Sequence, residues 1–185
     1  MSRIEPIEHP TNLFTRFAYW MMKRQLGKVM TPAKVVYARM PKSFVLASAE
    51  VWMMEKGLSL DPAITHLART WVAMINSCSF CVDIGKAVAV QHHMTLEKFD
   101  ALAEYRTSPL FSERERAALD FVDEATRNKR VSDATFDALR RHFNDREIVE
   151  ITWLNALENY YNLINLPLGI GSDGLCAIAQ RRAAA

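Results

Sequence analysis

Glycine and proline are scarce in this chain, at 6 and 7 of 185 residues. Ala, Leu, Met, Arg and Glu are common instead, and that balance favours helix. Long apolar runs are missing: none reaches the ~18 residues that a membrane span needs. The N-terminus "MSRIEPIEHPTN" lacks an apolar core, so a signal peptide is not expected and the expected location is cytoplasmic. Net charge is also small, +2, with the signs interspersed, which gives no pointer to nucleic acid or a membrane as partner. Cysteine is rare, with three in all. Two of them, Cys78 and Cys81, form a C-x-x-C. In a cytoplasmic chain such a pair points to redox chemistry or metal binding rather than to a structural cross-link. Cys176 stands alone and reads as packing.

What is present is half hydrophobic, enough to bury a sizeable core. Residues 12–24 place Leu13, Phe14, Phe17 and Met21 on one helical face. They read as an arm, within residues 1–38, packed on the body or on a second subunit. The body spans 39–185. Helices are predicted over 43–57, 63–75, 96–104, 133–143 and 145–164. Asp61 caps the second with Pro62 at its first position, Thr95 caps the third, and Ser112 caps a helix between the third and fourth. In 63–75 the stripe Ile64, Leu67, Ala68, Trp71, Val72 and Ile75 is apolar. Asn76-Ser77 ends that helix and starts another, with Cys78 in its first turn. Pro167 and the glycines at 169, 171 and 174 end the regular structure. No strand is predicted; the chain reads as all-α.

A helix N-terminus favours a thiolate, and Cys78 lies nearest to it. Cys78, Cys81 and position 85 share one helical face, so a general base would sit best at 85. That residue is Gly85, and helix propensity alone would let histidine replace it. Asp83 points away. His92 lies ~16 Å beyond Cys81 along the helix, too far for a zinc site with the cysteines.

The segments "LDPAITHLARTWVAM", "INSCSFCVDIGKA", "FSERERAALDFVDEAT" and "FNDREIVEITWLNALENYYNLINLPLGI" resemble the carboxymuconolactone decarboxylase / alkylhydroperoxidase D-like (AhpD-like) superfamily over about residues 39–170. Asn76, Cys78, Cys81, Asn159 and Asn162 match that family's motifs. His66, Gly85 and Leu163 stand where the family has glutamate, histidine and arginine. The resemblance implies an all-α AhpD-like domain, usually oligomeric, that reduces a small-molecule hydroperoxide. By that resemblance Cys81 attacks the peroxide and Cys78 resolves the sulfenic acid as a disulfide. A dithiol reductant would then restore the pair, with no cofactor and no metal. The proton relay has no counterpart.

His66 is the candidate substitute base, because an ordinary imidazole titrates at ~6.5. Its alternative reading is a surface residue or a subunit contact. To reach the cysteines, the break at Asn76-Ser77 must fold two helices together. On 145–164, Thr152, Asn155, Asn159 and Asn162 make an uncharged polar stripe suited to a subunit interface or pocket wall. Val149, Trp153, Leu157, Tyr160 and Ile164 make an apolar one. Glu158 is a lone acid beside them that could serve the site. The expected function is a thiol-dependent peroxidase or disulfide oxidoreductase working as a homo-oligomer. A decarboxylase-like enzyme, or a non-enzymatic redox sensor or scaffold, are the alternatives.

Overall fold

The computed structural model describes residues 2–184, and among these there is no strand. Helix α1 spans Leu13–Leu26 and α2 Pro41–Lys56, with a π-helical turn at Ala33–Tyr37 between them. Then come α3 (Pro62–Ile75), α4 (Ser79–Gln91), the short α5 (Glu97–Asp100), a 3-10 turn at Leu102–Glu104, α6 (Glu113–Asn128), α7 (Asp133–Arg140), α8 (Asp145–Asn165) and α9 (Leu175–Ala183).

The starts of these helices follow from side-chain caps. Asn12 accepts from Phe14 N–H and Thr15 N–H, and Asp61 accepts from Ala63 N–H with Pro62 next to it. Ser112 with Glu115, and Asn144 with Glu147, form reciprocal capping boxes. Thr95 does not cap α5; the N-cap of that helix is Leu96, which makes no side-chain cap bond, and the helix is a single turn. The expected helix over 96–104 is therefore two short pieces. Regular structure does not stop at Pro167 either. Asp83 accepts from Ser172 Oγ and from Asp173, Leu175 and Cys176 N–H at 2.9–3.0 Å, and so caps α9 from a different helix. No local sequence signal marks a cap supplied from so far away.

The main core lies where α3 meets α6 and α8. Leu67, Val72, Leu119, Val122, Ile151 and Leu154 are all buried there. Burying side chains of this size is worth about 1.5–3 kcal/mol each before entropy is counted. A second apolar cluster joins α4 to α9 and holds both Cys78 and Cys81, with Phe80, Ala87, Ile170 and Leu175. The N-terminal segment is tied across the body: Arg3 N–H donates to Leu168 O, and Thr31 N–H and Oγ1 donate to Asp173.

Candidate active site

The α3–α4 junction brings the cysteines into place. Asn76 ends α3, Ser77 takes a left-handed φ of 58°, and Cys78 is the N-cap of α4. The chain therefore reverses, and α4 packs back along α3. Cys78 and Cys81 are paired as a disulfide with Cα atoms 5.3 Å apart. Their environments differ. Cys78 has no exposed surface, whereas Cys81 is on the wall of two cavities that Cys78 does not line.

The first is a vestibule of about 300 Å³. One wall is a stripe of α2, Phe44, Ala47, Ser48, Val51 and Glu55, which recurs at helical spacing. Met30, Pro32 and Tyr37 close it from the N-terminal segment, so the expected arm also helps to build the site. The second is a chamber of about 70 Å³ behind Cys81, lined by His66, Arg69, Thr70, Ile84, Gly85, Val88 and Glu158.

A polar network fixes this geometry. Asn76 Nδ2 donates to Asn159 Oδ1 at 2.9 Å and to Asn162 Oδ1 at 2.8 Å. Asn162 Nδ2 donates to Glu158 Oε1 at 2.8 Å, and Arg69 Nε donates to Glu158 Oε2 at 3.2 Å. Asn155 Oδ1 accepts from Thr126 Oγ1. The uncharged stripe of α8 is thus turned inward apart from Thr152, and the asparagines offset the cost of burial by bonding one another. Part of the expected apolar stripe faces out instead, with Val149 and Tyr160 exposed.

Asn165 Nδ2 donates to Cys81 Sγ at 3.5 Å, an interaction that strengthens if the sulfur is an anion. Burial pushes the Glu158 carboxyl above its ordinary value, against the pull of Arg69 and Asn162. Asp83, two residues beyond Cys81, has no such role. Burial acts to raise its pKa, but its four donors outweigh that and hold it below the ordinary value.

His66 is half-buried rather than on open surface. It shares the small chamber with Cys81 and packs on His92, ring centroids 5.4 Å apart. Burial, then the charges of His92 and Arg69, lower its pKa to about 4. At neutral pH it is an uncharged, weakly basic imidazole. His92 serves this contact and not the cysteines; among the described residues no three His, Cys, Asp or Glu side chains converge on a metal site. A histidine at position 85 is not accommodated as helix propensity suggests, because a Cβ there would stand 2.8 Å from Thr70 Oγ1.

Arg69, Thr70 and Asn165 were not singled out from sequence. Asn165 lies three residues past Asn162 on the same helical face, a signal that was available. The placement of Arg69 depends on how α2, α3 and α8 meet, and nothing local announces it.

The fold and this site define an all-helical, C-x-x-C-bearing class. The chain belongs to the carboxymuconolactone decarboxylase / AhpD-like superfamily: the carboxymuconolactone decarboxylase family profile matches residues 45–124. The uncharacterized protein YnjA of Escherichia coli is 34% identical over 92% of this chain and 94% of its own length. A solved structure from Agrobacterium tumefaciens, ATU0492, described as a putative antioxidant defence protein AhpD, is 29% identical. It superposes with a TM-score of 0.69 over 75% of this chain and 96% of its own. The debrominase Bmp8 shares the fold, with a TM-score of 0.75 over 96% of each chain at 19% identity. At that identity the likeness concerns fold alone.

Proposed function

We propose that this protein is a thiol-dependent peroxidase and disulfide oxidoreductase that reduces neutral, apolar hydroperoxides. The observation that carries the reading is the asymmetry of the pair: Cys81 lines the vestibule, and Cys78 is sealed behind it. In the reduced enzyme Glu158 takes the Cys81 proton. The thiolate attacks the distal peroxide oxygen, the O–O bond breaks, and the departing alkoxide takes the proton from Glu158. Cys81 is then a sulfenic acid. Cys78 attacks it, the S–S bond forms and water leaves. A dithiol reductant attacks the disulfide from the vestibule at Cys81. That releases Cys78 as a thiolate at the start of α4, where free N–H groups favour an anionic leaving group. We place the base at Glu158 rather than His66, because an imidazole of pKa about 4 is a weak acceptor.

A decarboxylase must bind a carboxylate. Among the described residues the one cationic side chain on the vestibule wall is Arg69, and it is already engaged by Glu55 at 2.8 Å and Glu158 at 3.2 Å. That favours uncharged substrates. The uncovered apolar side chains on α1 (Phe17, Trp20), α2 (Leu46, Trp52, Met53) and α8 (Val149, Leu163) support a homo-oligomer.

The test is stoichiometric oxidation of the reduced protein by cumene hydroperoxide. A mass loss of two hydrogens, reversed by dithiothreitol, is expected. Cys78→Ser should trap a sulfenic acid on Cys81, and Cys81→Ser should trap none. A trap on Cys78 instead, or no reaction in the wild type, overturns the assignment. Glu158→Gln should slow Cys81 oxidation by about 10²–10⁴. Oxidation without turnover on added dithiol would leave the sensor reading standing in place of the enzyme.

A further inference from the structure

Asn165 is the last residue of α8 and stands apart from the polar network on the same helix face. Its backbone is held, with Ile170 N–H donating to Asn165 O at 3.0 Å. Asn162 and Glu158, one and two turns earlier, bond each other, and Glu158 bonds Arg69, but the Asn165 amide joins none of them. Among the described residues its one side-chain hydrogen bond runs from Nδ2 to Cys81 Sγ at 3.5 Å. The residue is 3% exposed. Sulfur is a weak acceptor, so the oxidised pair leaves this buried amide poorly partnered. The other redox state accounts for its place. On reduction the same N–H faces a thiolate, and a hydrogen bond to an ion is roughly twice as strong as one between neutral groups.

The charged and titratable side chains around the two cavities that Cys81 lines offer no substitute. They are Tyr37, then Glu55 of α2, His66 and Arg69 of α3, and Glu158, Tyr160 and Tyr161 of α8. Arg69 is the cation among them, and both glutamates hold it. His66 is uncharged at neutral pH, and burial pushes the Tyr37 and Tyr161 hydroxyls up, so they stay neutral too. The free N–H groups at the start of α4 lie nearest Cys78, its N-cap.

We infer that Asn165 is a further catalytic residue: its amide N–H stabilises the Cys81 thiolate and thereby favours the reduced pair over the disulfide. The inference rests on the reading of Cys78 and Cys81 as a redox couple. In the exchange with a dithiol, two electrons and two protons pass to the pair, and the dithiol leaves as its own disulfide. Where Cys81 then loses its proton, Asn165 holds the anion. The contact therefore raises the reduction potential most at pH values where Cys81 is ionised, and little where it is a neutral thiol.

The test uses the full-length protein and needs no peroxide. Asn165→Leu keeps the bulk and removes the N–H. In the reduced variant the ultraviolet thiolate absorbance should titrate at higher pH, with the Cys81 thiolate about tenfold scarcer below its pKa. Alkylation by iodoacetamide, mapped by mass spectrometry to separate Cys81 from Cys78 and Cys176, should slow about three- to fivefold at Cys81 alone. The loss is smaller than tenfold because a more basic thiolate is a better nucleophile. In dithiothreitol redox buffers above the Cys81 pKa, the midpoint potential should fall by about 30 mV, the equivalent of tenfold in equilibrium constant. Well below that pKa the two proteins should have the same potential. Asn165→Asp keeps the shape and puts an acceptor where the donor was, so it should slow alkylation further than Asn165→Leu. An unmoved Cys81 titration, or a potential displaced equally at every pH, overturns the role and leaves Asn165 as packing. If Asn165→Leu does not fold, Asn165→Asp decides by the same readouts. Failure of cumene hydroperoxide to form the disulfide in wild type sinks the parent reading, a result separate from an unmoved titration.

Discussion

Helices α2 and α3 are neighbours in sequence, of 16 and 14 residues, and both are rich in apolar side chains. Eight residues of α3 are buried and none of α2. The difference separates two jobs. α3 is scaffold: one face builds the core, and the other presents His66, Arg69 and Thr70 to the chamber. α2 is a wall. Its inner stripe faces an open vestibule, and its outer side chains Leu46 (73% exposed), Trp52 and Met53 face outward. A core helix resists change through packing, and a wall helix is free to change what enters.

The largest effect that tests this contrast is on stability. Leu67→Ala on α3 should cost about 2–5 kcal/mol, because a fully buried leucine leaves a cavity. Leu46→Ala on α2 should fall within about 0.5 kcal/mol in dilute solution. Urea denaturation measures both. Equal costs would break the comparison. A Leu46 effect that grows with protein concentration would sharpen it, by placing a second copy on the outer face of α2.

Arg69 ties the two helices to α8. It bonds Glu55 of α2 and Glu158 of α8 at once. Arg69→Ala should cost about 1–3 kcal/mol, less than a buried ion pair can, because Glu158 can take up a proton rather than stay charged and unpaired. The Glu158 pKa should then rise further. The pH profile of Cys81 oxidation, if Glu158 is its base, should move to higher pH. A fixed profile with reduced stability would leave Arg69 as a brace alone.

His66 gives a smaller effect of known sign. Its folded pKa, about 4, lies below the ordinary 6.5 of the unfolded chain. Between those values the unfolded state binds more protons, so stability rises with pH through the window and falls as pH drops from 6.5 towards 4. His66→Gln should flatten that slope in denaturation curves taken across pH 4–7. The wild-type oxidation rate should show no histidine limb above pH 5. A limb near 6.5 would mean that His66 is more solvated than its surroundings indicate.

Much of this is legible in the amino-acid sequence. Asp61-Pro62, Ser112 with Glu115, and the apolar stripe of α3 are local signals, and local signals fix helix starts and faces. The break at Asn76-Ser77 was legible for the same reason, and with it the place of Cys78. What escaped depends on contacts far apart in sequence. Asp83 caps α9 across about ninety residues, so α9 was missed. The asparagine stripe of α8 is buried because Asn76 and Thr126 meet it, and sequence alone left an interface equally open. The crowding of Gly85 by Thr70 is a close approach between two helices, invisible to propensity, and it reverses the expectation that histidine fits there.

The smallest effects lie at the ends of the same two helices. α3 ends into Ser77, held at φ 58°, where a side chain is strained by roughly 1–2 kcal/mol. α2 ends at Gly57, whose φ of −90° any residue adopts. The glycine therefore stands where none is needed, and a serine stands where glycine would fit. A Cβ at Gly57 meets only Met54 O at 3.4 Å and Met53 O at 3.7 Å, ordinary contacts. Gly57→Ala should stabilise by about 0.4–1 kcal/mol through the unfolded chain. Ser77→Gly should relieve strain but give part of that back as unfolded-state entropy, for a net gain below about 1 kcal/mol. In a chain of this size each kcal/mol moves Tm by about 2–4 °C, so scanning calorimetry resolves both. The two should differ in a second readout. Ser77→Gly loosens the hinge that presents Cys78 and Cys81, and should raise the ease of reduction of their disulfide or leave it alone. Gly57→Ala lies at the far end of the wall and should not touch it. If Gly57→Ala changes the redox behaviour of the pair, α2 is coupled to the cysteines more tightly than a wall with no buried residue allows.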